Sequence, residues 1–428
     1  MPKNIFEKLK DLFTTQNTKL TSIATKLEEL EIGRGGGVGQ VDATPGATYH
    51  GEIFNQYTGI DINQATGMNT HAEGYSTIAS GHFSHAEGQN TEASGSFSHA
   101  EGQNTTATKD GAHAEGELCD ATGQWSHAEG FDTTASGRYS HSEGKNTTAS
   151  GDYSHAGGYN TTASGDYSYA EGSGSTASGA YAHAEGSGST ASGAYAHAEG
   201  ISSVAAGNAS HAEGDHCTAS GYQCHAEGSY SIAGGSVAHA EGYICEAQSY
   251  SHAEGKSCGA YNNAHAEGCG CHSYNNAHAE GYETLAYNYS HAEGYQNTSN
   301  GGCSNCHVEG SFNLLSGTLE SAHCEGSRCC AGIVNVSDIN DFNHAYDGLT
   351  TVGVNGYGAH VEGYQNRCWG SYAHAEGANN IVYGSSSHVE GQSNVVGSYN
   401  ESPDAKIKCP DADQASRIMT VYYGHAEG

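Results

Sequence analysis

Proline is nearly absent from this 428-residue chain, with four in all, and cations are scarce, 15 Lys and Arg standing against 48 Asp and Glu. So few prolines beside 62 glycines, with no three-residue period, exclude a collagen triple helix. A formal charge of −33 excludes a body built to hold nucleic acid or an anionic membrane surface, because both partners are themselves negative. No stretch approaches the roughly 18 apolar residues that a membrane-spanning helix requires. The N-terminus also lacks the charged segment and apolar run of a secretory signal, so membrane insertion and export by that route are not expected. With apolar residues at 36%, too little Leu, Ile, Val and Phe is present for large globular cores. Burial must come from something periodic.

A period is present. His71, Ala72, Glu73, Gly74 returns at His85, His99, His113 and His127 and then every 14 residues to His239, with a few substitutions. Inside each unit the period halves: Thr147, Ala149, Gly151 are followed by Ser154, Ala156, Gly158 and then by Thr161, Ala163, Gly165. Small residues alternating with variable ones give the period of two that marks a strand, and the Gly allows the tight corner that follows. Two strands and two corners make one 14-residue coil. Parallel stacking of coils at about 4.8 Å is how units that cannot fold alone acquire a shared interior. So narrow an interior admits only small side chains, which assigns the Ser/Thr and Ala places inward.

The 14 cysteines follow the same logic. Cys119, Cys217, Cys245, Cys258 and Cys271 replace Thr, Cys224 and Cys306 replace the Ser before His, and Cys324 replaces the signature Ala. They read as small interior hydrophobes, with disulfides between neighbouring coils left open for Cys245, Cys258 and Cys271. The calcium-binding Gly-Gly-x-Gly-x-Asp pattern is absent.

Tandem Ser-x-Ala-x-Gly heptads in 14-residue units resemble the head repeats of the YadA-like trimeric adhesins. The resemblance covers roughly residues 65–310 and implies an all-β repeat solenoid, a left-handed parallel β-roll, with three chains side by side about a common axis. The His-Ala-Glu-Gly version, preceded by Gly51, Glu52, Ile53, Phe54 and Asn55, is similar to repeats in Firmicutes phage and prophage tail or appendage proteins. Some of those continue into a self-cleaving chaperone of the peptidase G2 type, and this chain stops at Gly428 partway through a coil.

Along the chain, Phe6, Leu9, Phe13, Gln16, Leu20, Ile23, Leu27 and Leu30 recur at spacings of three and four, predicting a short α-helical coiled coil over residues 1–34. Residues 35–64 form a transition, 65–310 the regular β-roll, and 311–428 an irregular β-roll with extruded loops. From His239 the spacing falls to 13 for four units, and Tyr261 to Asn263 and Tyr274 to Asn276 mark the shortened corner. Later intervals lengthen to 16, 16 and 21, the last ending on a degenerate His344. Phe312 to Ser321 and Ile333 to Gly356 are expected to project as recognition loops, and Gln392 to Tyr423 to form an inserted lobe.

In His-Ala-Glu-Gly the Ala points inward, so His and Glu point outward together and stacking turns them into columns. A polar pair repeated so uniformly suggests a face that meets itself, and the adhesin resemblance implies that this face forms the trimer interface. The interface ladder is therefore assigned to His71, Glu73, His85, Glu87, His99, Glu101, His113, Glu115, His127, Glu129, His183, Glu185, His197, Glu199, His211, Glu213, His239 and Glu241. Metal binding along the columns and a pH switch are the sharper alternatives. Corner aromatics two places before His, among them Phe83, Phe97, Trp125, Tyr139, Tyr153, Tyr181 and Tyr195, are expected to stack between coils, with a carbohydrate-binding stripe as the alternative.

Every His and Glu of the signature is repeated, so no unique nucleophile, base and orienting group emerge. No catalytic residue, metal ligand or cofactor is assigned, and the chain is not expected to be an enzyme. The leading expectation is a homotrimeric phage or prophage tail fibre, made in the cytoplasm. Its N-terminus would join a virion tail or baseplate protein and its irregular C-terminal loops would contact a host surface glycan or protein. A bacterial trimeric surface adhesin is the alternative, and an ice-binding solenoid carrying Thr134, Thr148 and Thr162 is the third.

Overall fold

The computed structural model describes residues 63–300, 302–316, 319–332, 358–368, 370–382 and 385–396, together with the backbone of strands at Thr48–Tyr49, Ile418–Met419 and His425–Glu427. The coiled-coil seam of residues 1–34 lies outside the described residues. Among the described residues every regular element is a β-strand, and no helix is long and apolar enough to cross a membrane. The chain divides into two compact units, Met1–Ser192 and Gly193–Gly428.

In the first unit a five-residue strand starting on the signature alternates with a two-residue strand, as in His71–Tyr75 followed by Ile78–Ala79. Each pairs in parallel with its counterpart one coil on: His71 lies beside His85, and Ile78 beside Glu92. The result is two parallel sheets facing one another across a single file of side chains. Ala72 and Ala79, and their equivalents in coil after coil, are fully buried. Each such methyl contributes only about 0.8 kcal/mol. Stability thus rests on repetition and on backbone pairing that every added coil extends.

Glycine sets the distance of approach. Gly130 has φ +117°, and a Cβ placed on it would lie 2.2 Å from the carbonyl oxygen of Gly144 one coil away. No other residue fits between backbones stacked that closely. Other corners turn on left-handed residues that are not glycine, including Asn90, Asn104 and Asn146, for which this conformation is inexpensive.

The second unit repeats this plan with altered coil lengths. Strands of 14-residue spacing run from His197–Ile201 to His239–Tyr243. The register then continues through His252, His265, His278 and His291 with 13-residue spacing. Here the corner loses one residue, and consecutive left-handed asparagines, Asn262 and Asn263 and then Asn275 and Asn276, make the turn.

Three expectations need correction in this unit. His323 pairs directly with His360, so no coil founded on His344 intervenes, and Ile333 to Gly356 falls within one long interval outside the described residues. The segment from Phe312 to Ser321 does not simply project: Leu314–Ser316 is a strand paired with Cys330–Gly332, and Leu315 and Leu319 are buried in the coil. Nor must the interior be small throughout, since Val308, Leu315, Val361, Val382, Val389 and Val396 are among its largest buried side chains. Likewise His388 pairs with His425, and the intervening 397–417 and 420–424 lie outside the described residues.

Candidate functional site: the His and Glu ladder

Strand alternation places the signature His and Glu on one face with the Ala between them buried. In the first unit His71, His85, His99, His113, His127, His141, His155 and His183 occupy this face, with Tyr169 substituting once. In the second it carries His197, His211, His225 and His239 and continues to His388. All nine assigned pairs are therefore on one face of their unit.

Each imidazole reaches along its strand toward its own Glu. The Nε2 to Oε2 distance is 3.2 Å at His71–Glu73, 3.4 Å at His85–Glu87, 3.7 Å at His99–Glu101, 4.0 Å at His113–Glu115 and 3.8 Å at His127–Glu129. It is 3.4 Å at His183–Glu185, and in the second unit 3.5 Å at His197–Glu199, 3.4 Å at His211–Glu213 and 3.4 Å at His239–Glu241. Rings of successive coils stack, with centroids 4.6 Å apart and planes 1° from parallel at His113 and His127. The carboxylates are about half exposed and the imidazoles less so, 49% against 36% at Glu115 and His113.

Stacking has an electrostatic consequence. Desolvation first, and the neighbouring imidazoles second, hold His99, His127, His211, His239 and His278 below the ordinary histidine pKa of 6.5, against the opposing pull of nearby glutamates. These five rings are thus neutral near pH 7.

One place in the first unit departs from the rule. Gly157 stands where Glu is expected, and the ring of His155 fills the vacated space, turning 89° from His141 and approaching Glu143 to 3.8 Å. Tyr169 replaces His in the next coil, stacks on His155 at 4.8 Å and donates its hydroxyl to Glu171, which pushes its pKa up to about 12.

The corner aromatics form a second column. Phe83 stacks on Phe97 at 5.1 Å, and Tyr139, Tyr153, Tyr167 and Tyr181 stack successively at 4.8–5.0 Å. The Trp125 indole lies over Gly111, where any Cβ would sit 2.0 Å from the ring. Rings stacked in this way cover one another's faces and offer mainly edges to solvent. That geometry disfavours a carbohydrate stripe, which needs open faces. Beside the column a polar groove of about 640 Å³ is lined by Lys109, Asp110, Gln124, Arg138 and Asp152, and its most direct charge pair, Arg138 to Asp152 at 2.7 Å, is internally satisfied. Threonine columns are in register from Thr134 to Thr190, but each two-residue strand contributes only one outward side chain, so no two-column flat array forms.

An interior feature escaped the sequence reading. Asn297, Asn313, Asn366, Asn380 and Asn394 are buried in the second unit. Asn313 Nδ2 donates to the Glu309 carbonyl at 2.6 Å and to the Gly326 carbonyl at 3.0 Å, and its Oδ1 accepts from Cys329 N at 2.8 Å. The signal was available: each of these Asn follows a signature Gly by three residues. Among the described residues the cysteines are free thiols, buried in the coil except for Cys269, and Cys245, Cys258 and Cys271 each donate to a Gly carbonyl one coil on, at 3.2–3.3 Å.

Residues 128–154, 170–196 and 198–223 match the family model of the YadA head domain repeat (2 copies). No curated protein matches the chain. The chain therefore carries YadA-like head repeats, wound as a parallel β-solenoid.

Proposed function

We propose that this chain is a non-enzymatic structural subunit of a homotrimeric surface-binding appendage, in which the His and Glu face of each chain packs against the same face of its two partners. The observation that carries the reading is the uniform ladder. At His85, His99, His113 and His127 the Nε2 atom is shielded from solvent yet makes no hydrogen bond within its own chain, a costly condition for a polar atom. A partner chain bearing the same ladder supplies acceptors for these atoms, and three copies about an axis satisfy each ladder alike.

The appendage is a phage or prophage tail fibre in the leading reading, supported by the likeness of the His-Ala-Glu-Gly repeats and the Gly51–Asn55 segment to such proteins. It attaches through its N-terminal region to a tail or baseplate protein and meets a host glycan or protein through its irregular C-terminal region. The YadA head match favours a second reading, a bacterial trimeric adhesin. Sedimentation equilibrium of the full chain tests the assembly. A mass three times 44.2 kDa is expected, and a stable monomer at micromolar concentration would remove the proposal. Binding of the labelled trimer to intact bacterial cells, abolished by deleting residues 333–357, tests the recognition role.

A further inference from the structure

We infer that the ladder of the first unit holds a transition-metal ion at His127, using one neighbouring imidazole and one carboxylate from the same chain. The donor atoms of His113, Glu115 and His127 all lie within 4.8 Å of one another, and so do those of His127, Glu129 and His141. Two imidazoles and a carboxylate form a donor set that zinc accepts, with a fourth position left for water or for a group from another chain.

This stretch is set apart by how closely its donor atoms gather, and it shares with other coils, among them His85 and His99, an Nε2 that lacks a partner. At His225, His252 and His265 the imidazole meets its own Glu at 3.3–3.4 Å as a hydrogen bond. At His113, His127 and His141 the separation opens to 3.8–4.0 Å, and Nε2 is shielded from solvent with no hydrogen-bond partner. A metal ion satisfies such an atom as a hydrogen bond would. Ligand atoms around tetrahedral zinc stand roughly 3.3 Å apart, given bonds of about 2.0–2.1 Å. The stacked rings, 4.6 Å apart and 1° from parallel at His113 and His127, must tilt toward one another to share an ion, and the half-exposed Glu115 or Glu129 swings in to complete the set.

The two triads share His127, and one Nε2 lone pair serves one ion. A single ion per chain is therefore expected here, bound either to the His113 side or to the His141 side. All three donors belong to one chain, so the site does not depend on trimer formation; an ion there takes the Nε2 of His127 and of one neighbouring ring and leaves those of His85 and His99 to a partner chain, so its failure would leave the assembly proposal standing.

The test uses the full chain without a histidine tag, dialysed against zinc and then against metal-free buffer, with bound metal measured by mass spectrometry. Cobalt(II) provides the spectroscopic probe through its visible absorption. The wild-type chain retains an ion, His127→Gln lowers the stoichiometry by one, and His252→Gln leaves it unchanged. Glu115→Gln with Glu129→Gln keeps the ring stack and weakens binding at least about tenfold, the scale on which even supporting groups act at metal sites. Far-UV circular dichroism checks that each variant keeps its strands. Absence of retained metal in the wild type, an unchanged stoichiometry in His127→Gln, or unchanged affinity in the folded double Glu variant would each overturn the site.

Discussion

The two units wear the same outer face over different interiors. In the first, the file between the sheets is Ala with Thr or Ser, as at Ala100 with Thr105 and Ala107. In the second, that file continues through coils such as Ala198 with Ser203 and Ala205, then takes larger side chains in the later coils, as at Val308, Asn313 and Leu315. Outside, both present His and Glu in register. The contrast separates two layers of specification. The signature Gly and strand pairing fix how coils approach one another, and they tolerate no change. The interior varies within that frame: a 16-residue coil holds Leu315, 14-residue coils hold Val382 and Val396, and both carry Asn in place of Thr. Asn makes more backbone bonds than a hydroxyl does: Ser175, Ser203 and Ser231 each donate once, to the signature Gly carbonyl one coil on. Thr91 and Thr105 leave their hydroxyls without a partner, whereas Asn313 makes three hydrogen bonds to backbone.

If the outer frame is common to both units, breaking it should hurt both alike. Gly130→Ala in the first unit and Gly281→Ala in the second each drive a Cβ to 2.2 Å and 2.0 Å from a backbone oxygen. Each should cost about 3 kcal/mol or more in urea denaturation, in line with strain and overpacking at special backbone positions. A large loss in one unit only would mean that the frame differs.

The interiors should respond oppositely. Asn313→Ala leaves two carbonyls and an amide without partners and should cost about 3 kcal/mol or more, at roughly 1–3 kcal/mol for each group left unsatisfied. Thr105→Val removes a hydroxyl that bonds nothing and should change stability by less than about 0.5 kcal/mol, the range of a neutral substitution. Equal effects would remove the distinction between the two interiors.

Acidification tests what the units share. Because His211, His239 and His278 sit below 6.5 when folded, the unfolded chain takes up protons first as pH falls. Their contribution is fully present above pH 6.5 and is lost progressively below it. Thermal midpoints should hold between pH 7 and 8 and fall from about pH 6.5 toward 5. A flat profile would show that the rings are as easily charged in the fold as out of it. The smallest effect is expected at the corner column. Tyr153→Ala removes two stacked contacts at 5.0 Å and 4.8 Å and should cost about 1 kcal/mol. Val237→Ala, at the unstacked equivalent in the second unit, should cost less than about 0.5 kcal/mol.

Much of this architecture is legible in the sequence, because a strand period of two and a coil period of 14 leave each residue only one of two sides to occupy. Ala72 inward with His71 and Glu73 outward follows from alternation alone. The stacking of Tyr139 on Tyr153 follows from their separation by one coil. Reading failed where the period changes. His344 resembled a signature, yet His323 pairs past it with His360, since strand pairing depends on the full signature strand and not on one His. Leu314 and Leu315 looked like a projecting loop because a lengthened interval in a solenoid usually extrudes its extra residues, whereas here they continue the paired strand. The Asn column was missed because Asn at a corner also reads as an ordinary turn residue, and only its buried amide reveals the difference.

The central claim is that Ala, Thr and Gly build the coil while His and Glu direct the meeting of chains. Electron cryomicroscopy of the full-length protein, sectioned across the coils of the first unit, tests it most directly. Three coils around one axis, with His99, Glu101, His113 and Glu115 turned inward to that axis, are predicted. A section in which those side chains face solvent, with the chains meeting through the Tyr139 and Tyr153 corner or not at all, would contradict the account.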